Sequence, residues 1–459
     1  MLCLVDEKVL PKIPKSVFEI FNKFSQAGFE IYLVGGAVRD LLLQRNLHDA
    51  DFTTNATPEQ IQKLLPDSFY DNVFGTVGLI VKTDQGEEKY EITTYRSEKG
   101  YEDRRRPTEV TWGKTLEEDV IRRDFTVNAM AIGPAKNGQL ELIDLVDGQK
   151  DLGMRIIRAV GDANERFSED ALRMMRAIRF AAQLGFTIEP ETYEAIVKNA
   201  ELLQEISAER IRDELLKILS SDYPSEGITL LFTSGILNYI MPEMVKGYGV
   251  AQARHHIHDV WTHSLLSLKH VPSKDPVVRL ATLIHDVGKP VVARGEGEAR
   301  TFYNHEVAGA KIAAALAKRL RLSKKDTERL ITLVRWHLFT VDERQTDSAI
   351  RRFIRNVGKE NLEDMLALRV GDRLGGGARE TSWRLEKFKK RLIEVQKQPF
   401  TVADLKVNGN DVMKICGIKP SPQVGQILNQ LFEEVVEKKL PNQREALLTK
   451  LEETKKKSQ

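Results

Sequence analysis

Between Gly35 and Asp51 the chain carries Gly35-Gly36-Ala37-Val38-Arg39-Asp40 and then Asp49-Ala50-Asp51. A glycine turn lets backbone approach a phosphate, and carboxylates spaced i, i+2 can share one divalent ion. That combination suits a nucleoside triphosphate and its magnesium, and the chemistry it suggests is nucleotidyl transfer. Positioning elements flank it. Residues 30–34 form a short apolar run that reads as a buried strand, and residues 37–44 have helical apolar spacing, so the glycines fall at a strand-to-helix turn where backbone N–H groups can meet phosphate. With residues 49–53 as the next strand, Asp49 and Asp51 point to one face, because strand side chains repeat every two residues.

Two further clusters fit the same chemistry. In Arg122-Arg123-Asp124-Phe125-Thr126-Val127-Asn128, paired arginines can neutralise triphosphate oxygens, and an aspartate or asparagine can hydrogen-bond a ribose hydroxyl. Glu169-Asp170-Ala171-Leu172-Arg173 opens a segment reading as a helix capped by Ser168, with an apolar stripe at Leu172, Met175 and Ile178, and ending at Gly185. Asp170, Arg173, Arg176 and Arg179 recur every third residue along one polar edge. A carboxylate beside a guanidinium can address the Watson–Crick edge of a base, so protein could serve as template.

These motifs, in this order, resemble the class II tRNA nucleotidyltransferases, the CCA-adding enzymes, of the polymerase-beta-like superfamily. The resemblance covers about residues 30–220 and implies Asp49 and Asp51 as catalytic magnesium ligands. It also implies nucleotide contacts by Gly36, Arg39, Arg123, Asp170, Arg173, Arg176 and Arg179, and a head, neck, body and tail architecture. The expected activity is addition of CCA to the 3′ end of tRNA from CTP and ATP. Residues 97–110, charged and aperiodic, read as a mobile loop that resembles the one kept by enzymes able to add the terminal adenosine. Full CCA addition, A-only addition and poly(A) synthesis remain open at this point.

A second chemical region follows. Eight of the nine histidines lie between His255 and His337, an unevenness that asks for a metal explanation. The run of Thr262-His263, His285-Asp286, Asn304-His305, Trp336-His337 and Gly371-Asp372 resembles the HD phosphohydrolase superfamily. The resemblance implies His263, His285, Asp286 and Asp372 as ligands of one divalent transition metal, with His305 and His337 serving a second. It associates the region with phosphatase or 2′,3′-cyclic phosphodiesterase activity. An RNA-binding protein whose main activity is that phosphodiesterase is the alternative from another class.

Composition sets wider bounds. A chain of 459 residues, 30% charged and 41% hydrophobic with net charge +2, is expected to be globular and too weakly basic for charge alone to argue nucleic-acid binding. Cys3 and Cys416 fit no zinc spacing or disulfide framework, which suits a reducing, cytoplasmic compartment. Neither a targeting segment nor a membrane span is expected. The fold class is α+β: a small α/β head at 1–147, a helical neck at 148–222, a helical body with the HD region at 223–397, and a tRNA-binding tail at 398–459. Strand signals vanish beyond about Asp147. The tail reads as two amphipathic helices, with a frayed basic end from Glu452. Nothing in the sequence bears on oligomeric state.

Overall fold

The computed structural model describes every residue except 1, 6–8, 48–49, 73–74, 84–85, 102–106, 114, 136–137, 253–256, 343, 397–401, 438 and 459, and the backbone alone at 2–3, 71–72, 83, 97–101, 107–112, 298 and 456–458. The chain forms two compact units, Met1–Val245 with Arg319–Arg321, and Lys246–Lys318 with Leu322–Gln459. The mixed α+β class expected from the sequence is the one observed, with a sheet near the N-terminus and helices after it.

The sheet of the first unit is built from β1 (Leu2–Leu4), β2 (Ile31–Val34), β3 (Ala50–Thr54), β4 (Phe69–Asn72), β5 (Thr76–Thr83), β6 (Gly86–Thr94), β9 (Met130–Pro134) and β10 (Leu140–Asp144), while β7 (Arg96–Tyr101) and β8 (Pro107–Trp112) form a separate ribbon. Its order is β1-β10-β9-β2-β3-β6-β5-β4, with β3 and β6 parallel and the other pairs antiparallel. In β3 the two-residue repeat sends Ala50, Phe52 and Thr54 into the core and leaves Asp51 exposed. Phe52 meets Phe21 of the helix Lys15–Gln26 edge-on, ring centres 5.9 Å apart. Burying such a ring stabilises the fold by about 1.5–3 kcal/mol, so one face of β3 is fixed by packing and the other is left for chemistry. Thr57 and Gln60 close a capping box ahead of the helix Pro58–Leu64.

Several expectations are corrected. Of the expected loop at 97–110, residues 97–101 and 107–110 are strand: β7 and β8 pair antiparallel from Arg96↔Trp112 to Tyr101↔Pro107. Thr108, Val110, Thr111 and Trp112 are strand formers whose propensity the flanking charge obscured. Strands do not stop at Asp147, since Ile156–Ile157 pairs in parallel with Thr187–Ile188; two residues are too few to leave a periodicity. The helix expected to be capped by Ser168 begins only at Leu172 and runs to Leu184, and Ser168 lies inside a preceding helix, Ala163–Glu169. Asp170 lies at the break in an extended conformation, and its Oδ1 accepts from Leu172 N–H at 3.1 Å. Among the described residues the tail holds three α-helices, Gly409–Cys416, Pro422–Val436 and Arg444–Ser458, and the last takes in most of the end expected to fray. They share a core of Val412, Leu431, Phe432, Val435, Leu447 and Leu451.

In the second unit the helices Val260–His270 and Leu362–Gly375 lie close enough that a Cβ on Gly375 would sit 2.3 Å from Ser267 Oγ. These helices carry His263 and Asp372, so the approach sets the distance between those side chains. Gly375→Ala is expected to wedge them apart at a cost of about 1–3 kcal/mol, in the range of overpacking substitutions. Urea unfolding of the intact chain followed by circular dichroism checks this.

Candidate functional site

In the first unit, the turn after β2 places Gly35 at φ 73°, a left-handed conformation that glycine adopts without strain. A Cβ there would lie 3.2 Å from Arg123 Nη1 and 3.8 Å from Asp51 Oδ2, so the guanidinium and the carboxylate converge over this turn. Gly36 opens the helix Gly36–Leu42. Asp51 is flanked in register by Val34 of β2 and Glu91 of β6. Asp51, Glu91, Thr53, Thr93, Thr76, Arg96, Asp119, Arg122 and Arg123 are among the residues lining a cavity of about 290 Å³. Asp49 lies outside the described residues, so Asp51 alone is placed of the expected pair.

Fully buried Asp119 organises the basic side of this cavity. Its Oδ1 accepts from Arg122 Nη2 at 2.6 Å and its Oδ2 from Arg123 Nη2 at 3.0 Å. Burial pushes the Asp119 carboxyl up, but the two guanidinium groups outweigh it and hold the group below the usual range.

Arg39 does not line that cavity. Its Nη1 donates to Asn128 Oδ1 at 2.8 Å and its Nη2 to Asp40 at 2.9 Å, while the guanidinium lies 5.3 Å from the centre of the Phe180 ring. Arg176 and Arg179 reach the same ring at 5.6 and 4.3 Å. Arg176 Nε donates to Asp124 Oδ2 at 2.7 Å, and Arg179 pairs with Glu214 at 3.0 Å. Asp170 Oδ2 accepts from Arg210 at 2.7 Å; Arg173 bonds Glu169 and the carbonyl of Arg166, and reaches the carbonyl of Arg122 at 3.4 Å. The sequence-predicted residues therefore form two groups, one around Asp51 and one around Phe180 and the helix break, joined by Arg122 and Arg173.

In the second unit, His263, His285, Asp286, His305, His337 and Asp372 converge. His263 Nε2 and His285 Nε2 are 3.2 Å apart, and His305 Nε2 and His337 Nε2 3.3 Å apart. Asp286 stands between the pairs, with Oδ2 at 3.3 Å from His285 and Oδ1 at 3.2 Å from His305, and Asp372 Oδ1 is 3.3 Å from His263. His263, His285 and Asp286 make one buried group able to hold a metal ion, and Asp286, His305 and His337 another. The ring nitrogens on the far side are tied back: Nδ1–H of His285, His305 and His337 donates to the carbonyls of Thr282, Phe302 and Val334 at 2.7, 2.8 and 2.8 Å. That tautomer aims each Nε2 lone pair inward, the arrangement of ligating histidines. Imidazole with carboxylate suits a divalent transition metal, so the donor set fits. Burial disfavours a charged His285, but Asp286 and Asp372 override it and push its pKa up to about 10, while burial and neighbouring His285 push His337 down to about 3. Protons and a divalent ion compete for these nitrogens. His255 and His256 lie outside the described residues.

Comparison with known proteins places these features in a class. Residues 31–158 match the poly A polymerase head domain, residues 185–247 the model described as an RNA- and SrmB-binding site of polymerase A, and residues 300–451 tRNA nucleotidyltransferase domain 2. The chain is 35% identical to the CCA-adding enzyme of Levilactobacillus brevis over 96% of its length and 98% of the relative's, and 36% identical to that of Lactiplantibacillus plantarum over 96% of each. The structure of the Bacillus stearothermophilus CCA-adding enzyme in complex with CTP superposes with TM-score 0.73 at 28% identity, covering 99% of each chain. The chain belongs to the CCA-adding enzyme family. Among the described residues no helix is long and apolar enough to cross a membrane.

Sequence reasoning missed Asp119, Glu91, Phe180 and Glu214. Glu91 carried a findable signal, since it alternates with Thr93 in a strand, but the parallel pairing with β3 that sets it beside Asp51 left no local pattern. Asp119 reads from sequence as one more acid in the first turns of a helix. Asp124, buried and bonded to Arg176, is likewise pushed up by burial and pulled further down by that arginine. A carboxylate held below its ordinary range stabilises fully above the unfolded value, roughly pH 3.9, and loses that contribution as pH falls through the lower folded value. Asp124→Asn removes the nearest counter-charge of Arg176, a guanidinium still partly open to water, and is expected to cost about 1–3 kcal/mol at pH 7. Urea titrations across a pH series should find the gap from wild type narrowing only below about pH 4.

Proposed function

We propose that this chain adds CMP, CMP and AMP to the 3′ end of tRNA from CTP and ATP, choosing the nucleotide with protein side chains. Its family membership supports this, and the observation that carries it is the convergence of Asp51 and Arg123 over Gly35 in a cavity that also holds Glu91 and the Asp119-anchored arginines. In the reaction the tRNA 3′ oxygen bonds to the α-phosphorus as the bond to pyrophosphate breaks. Asp51, with Asp49, would hold a magnesium ion, which supplies charge stabilisation to the reacting oxygens. Arg122 and Arg123, pre-oriented by Asp119, receive the triphosphate without having to be ordered on binding. Arg39 packs behind the glycine turn.

Base choice falls to Asp170 and Arg173. Both are bonded within the protein, to Arg210 and Glu169, so reading a base means exchanging those partners for the exocyclic amine and ring acceptors of CTP or ATP. Arg176 and Arg179, paired with Asp124 and Glu214, tie down the helix that carries Arg173. The β7–β8 ribbon occupies the stretch that resembles the loop kept by adenosine-adding enzymes, which argues against a CC-only product, while the CCA-adding relatives favour the full product over A-only addition; its tip, 102–106, lies outside the described residues.

A second activity is supported by a separate observation, the convergence of six histidine and aspartate ligands in the second unit. This HD-like site would hold divalent transition metal and hydrolyse a phosphate ester, the ion supplying activation of water. Lys289, whose Nζ is 2.6 Å from Asp286 Oδ2 and 2.6 Å from Gln252 Oε1, steadies the shared carboxylate.

Three outcomes are expected. Asp51→Ala abolishes incorporation of α-labelled CTP and ATP into tRNA lacking CCA, with the circular dichroism spectrum unchanged; retained incorporation contradicts the assignment. Arg173→Ala narrows the difference between CTP and ATP use at tRNA ending in the discriminator base or in CC, with little change in tRNA affinity by filter binding. Asp286→Ala removes metal that survives dialysis of the wild type, measured by elemental analysis, while CCA addition persists.

A further inference from the structure

The Asp51 cavity is two-sided. Strands β2 and β3 run antiparallel with Val34 opposite Asp51 and Tyr32 opposite Thr53, so Gly35, the residue after Val34, lies beyond Asp51 on the side away from Thr53. Strand β6 runs parallel to β3 with Glu91 beside Asp51 and Thr93 beside Thr53, and Thr76 of β5 faces Thr93. One row therefore carries the carboxylates, and the next, about 6.6 Å further along at the usual rise of a strand, carries Thr53, Thr93 and Thr76. Both rows line the cavity. Thr76 Oγ1 and Thr93 Oγ1 are 3.1 Å apart, and Arg96 Nη2 donates to Thr76 Oγ1 at 2.9 Å. Thr53 is 1% exposed, and its Oγ1 has no hydrogen-bond partner among the described residues. Valine would fill the same volume without burying a hydroxyl, so packing alone does not account for this row.

Two cations thus stand on opposite sides of the carboxylates. Arg123 converges with Asp51 over Gly35, and Arg96 lines the cavity beside Thr76. In the transfer reaction the attacking and leaving oxygens lie roughly in line through the α-phosphorus. With pyrophosphate leaving toward the Gly35 turn and Arg123, the tRNA 3′ oxygen arrives from the threonine row, and the phosphodiester one ribose behind it comes to Arg96. We propose that Arg96, tethered to Thr76, binds this last phosphodiester of the tRNA, which makes the threonine row and Arg96 the subsite for the acceptor strand. The inference rests on the transfer reaction proposed above. A guanidinium can meet two phosphate oxygens at once, which fixes the direction of the strand as well as its distance. Each added nucleotide becomes the new 3′ end, so the same contact serves all three additions, whichever base Asp170 and Arg173 select.

The test uses the full chain with magnesium and acceptor-stem RNAs ending at the discriminator base, in C or in CC, each made with an ordinary last phosphodiester or with an uncharged methylphosphonate in its place. Arg96→Ala should raise KM for the ordinary RNA about tenfold at each of the three steps, the scale of a hydrogen bond to a charged group, with KM for CTP and ATP unchanged. Wild type should lose a similar factor on the methylphosphonate, and Arg96→Ala should lose almost nothing further, so that the two changes are not additive. Arg96→Lys, which keeps the charge without the fork, should fall between the two proteins, and it carries the same comparison if circular dichroism finds Arg96→Ala unfolded. A rise in KM for CTP or ATP in place of RNA puts Arg96 on the triphosphate and overturns the assignment, as do additive losses or an unchanged KM for RNA. Those results leave the transfer reaction standing. Failure of wild type to label any of the three RNAs overturns the transfer reading and this inference together.

Discussion

Charge that is to meet a polyanion must first be held in place, and here buried carboxylates hold it. Asp119, fully buried on the helix Leu116–Ile121, takes both Arg122 and Arg123 and so fixes the basic wall of the Asp51 cavity. An isolated buried carboxylate would shift its pKa and neutralise; one paired with two guanidinium groups stays charged and makes their positions costly to change. Asp124 does the same for Arg176, and Glu214 for Arg179. The arginines retain further donors, because a guanidinium offers five N–H groups and each bond to an anchor uses only one or two.

The second unit applies the constraint with the signs reversed. Asp286 and Asp372 are anions held among imidazoles, with Lys289 at 2.6 Å supplying a fixed positive charge. Three backbone carbonyls set the tautomers of three rings, so the Nε2 atoms face inward because of helix geometry and not because of chance packing. Close helix approach at Gly371 and Gly375 brings His263 and Asp372, 109 positions apart in numbering by their residue numbers, to 3.3 Å. Preorganisation of this kind spares a site the reorganisation it would otherwise need on binding.

Legibility differed by the range of the interaction involved. Strand β3, the capping box at Thr57 and the stripe of Leu172, Met175 and Ile178 were readable because each depends on a repeat of two to four residues. The break at Asp170 was not, since Ser168 and Asp170 are both good caps and local pattern does not choose between them. The β7–β8 ribbon was hidden because its charge resembles a solvated loop, and the pairing that makes it a ribbon lies across residues 96–112. The third tail helix was obscured by its basic end, which continues a helix anchored by Leu447 and Leu451.

The sequence by itself determined the residue types at both sites, the order of their motifs, the α+β class and the periodic elements that carry them. It did so because glycine turns, ligand types and amphipathic spacing are local properties. Only the tertiary structure decided that Asp51 faces Arg123 and neighbours Glu91, that Arg39 packs against Phe180 outside that cavity, and that Asp119 anchors two arginines. Those outcomes depend on parallel register, helix approach and burial, which bring together side chains far apart in sequence and leave no local pattern.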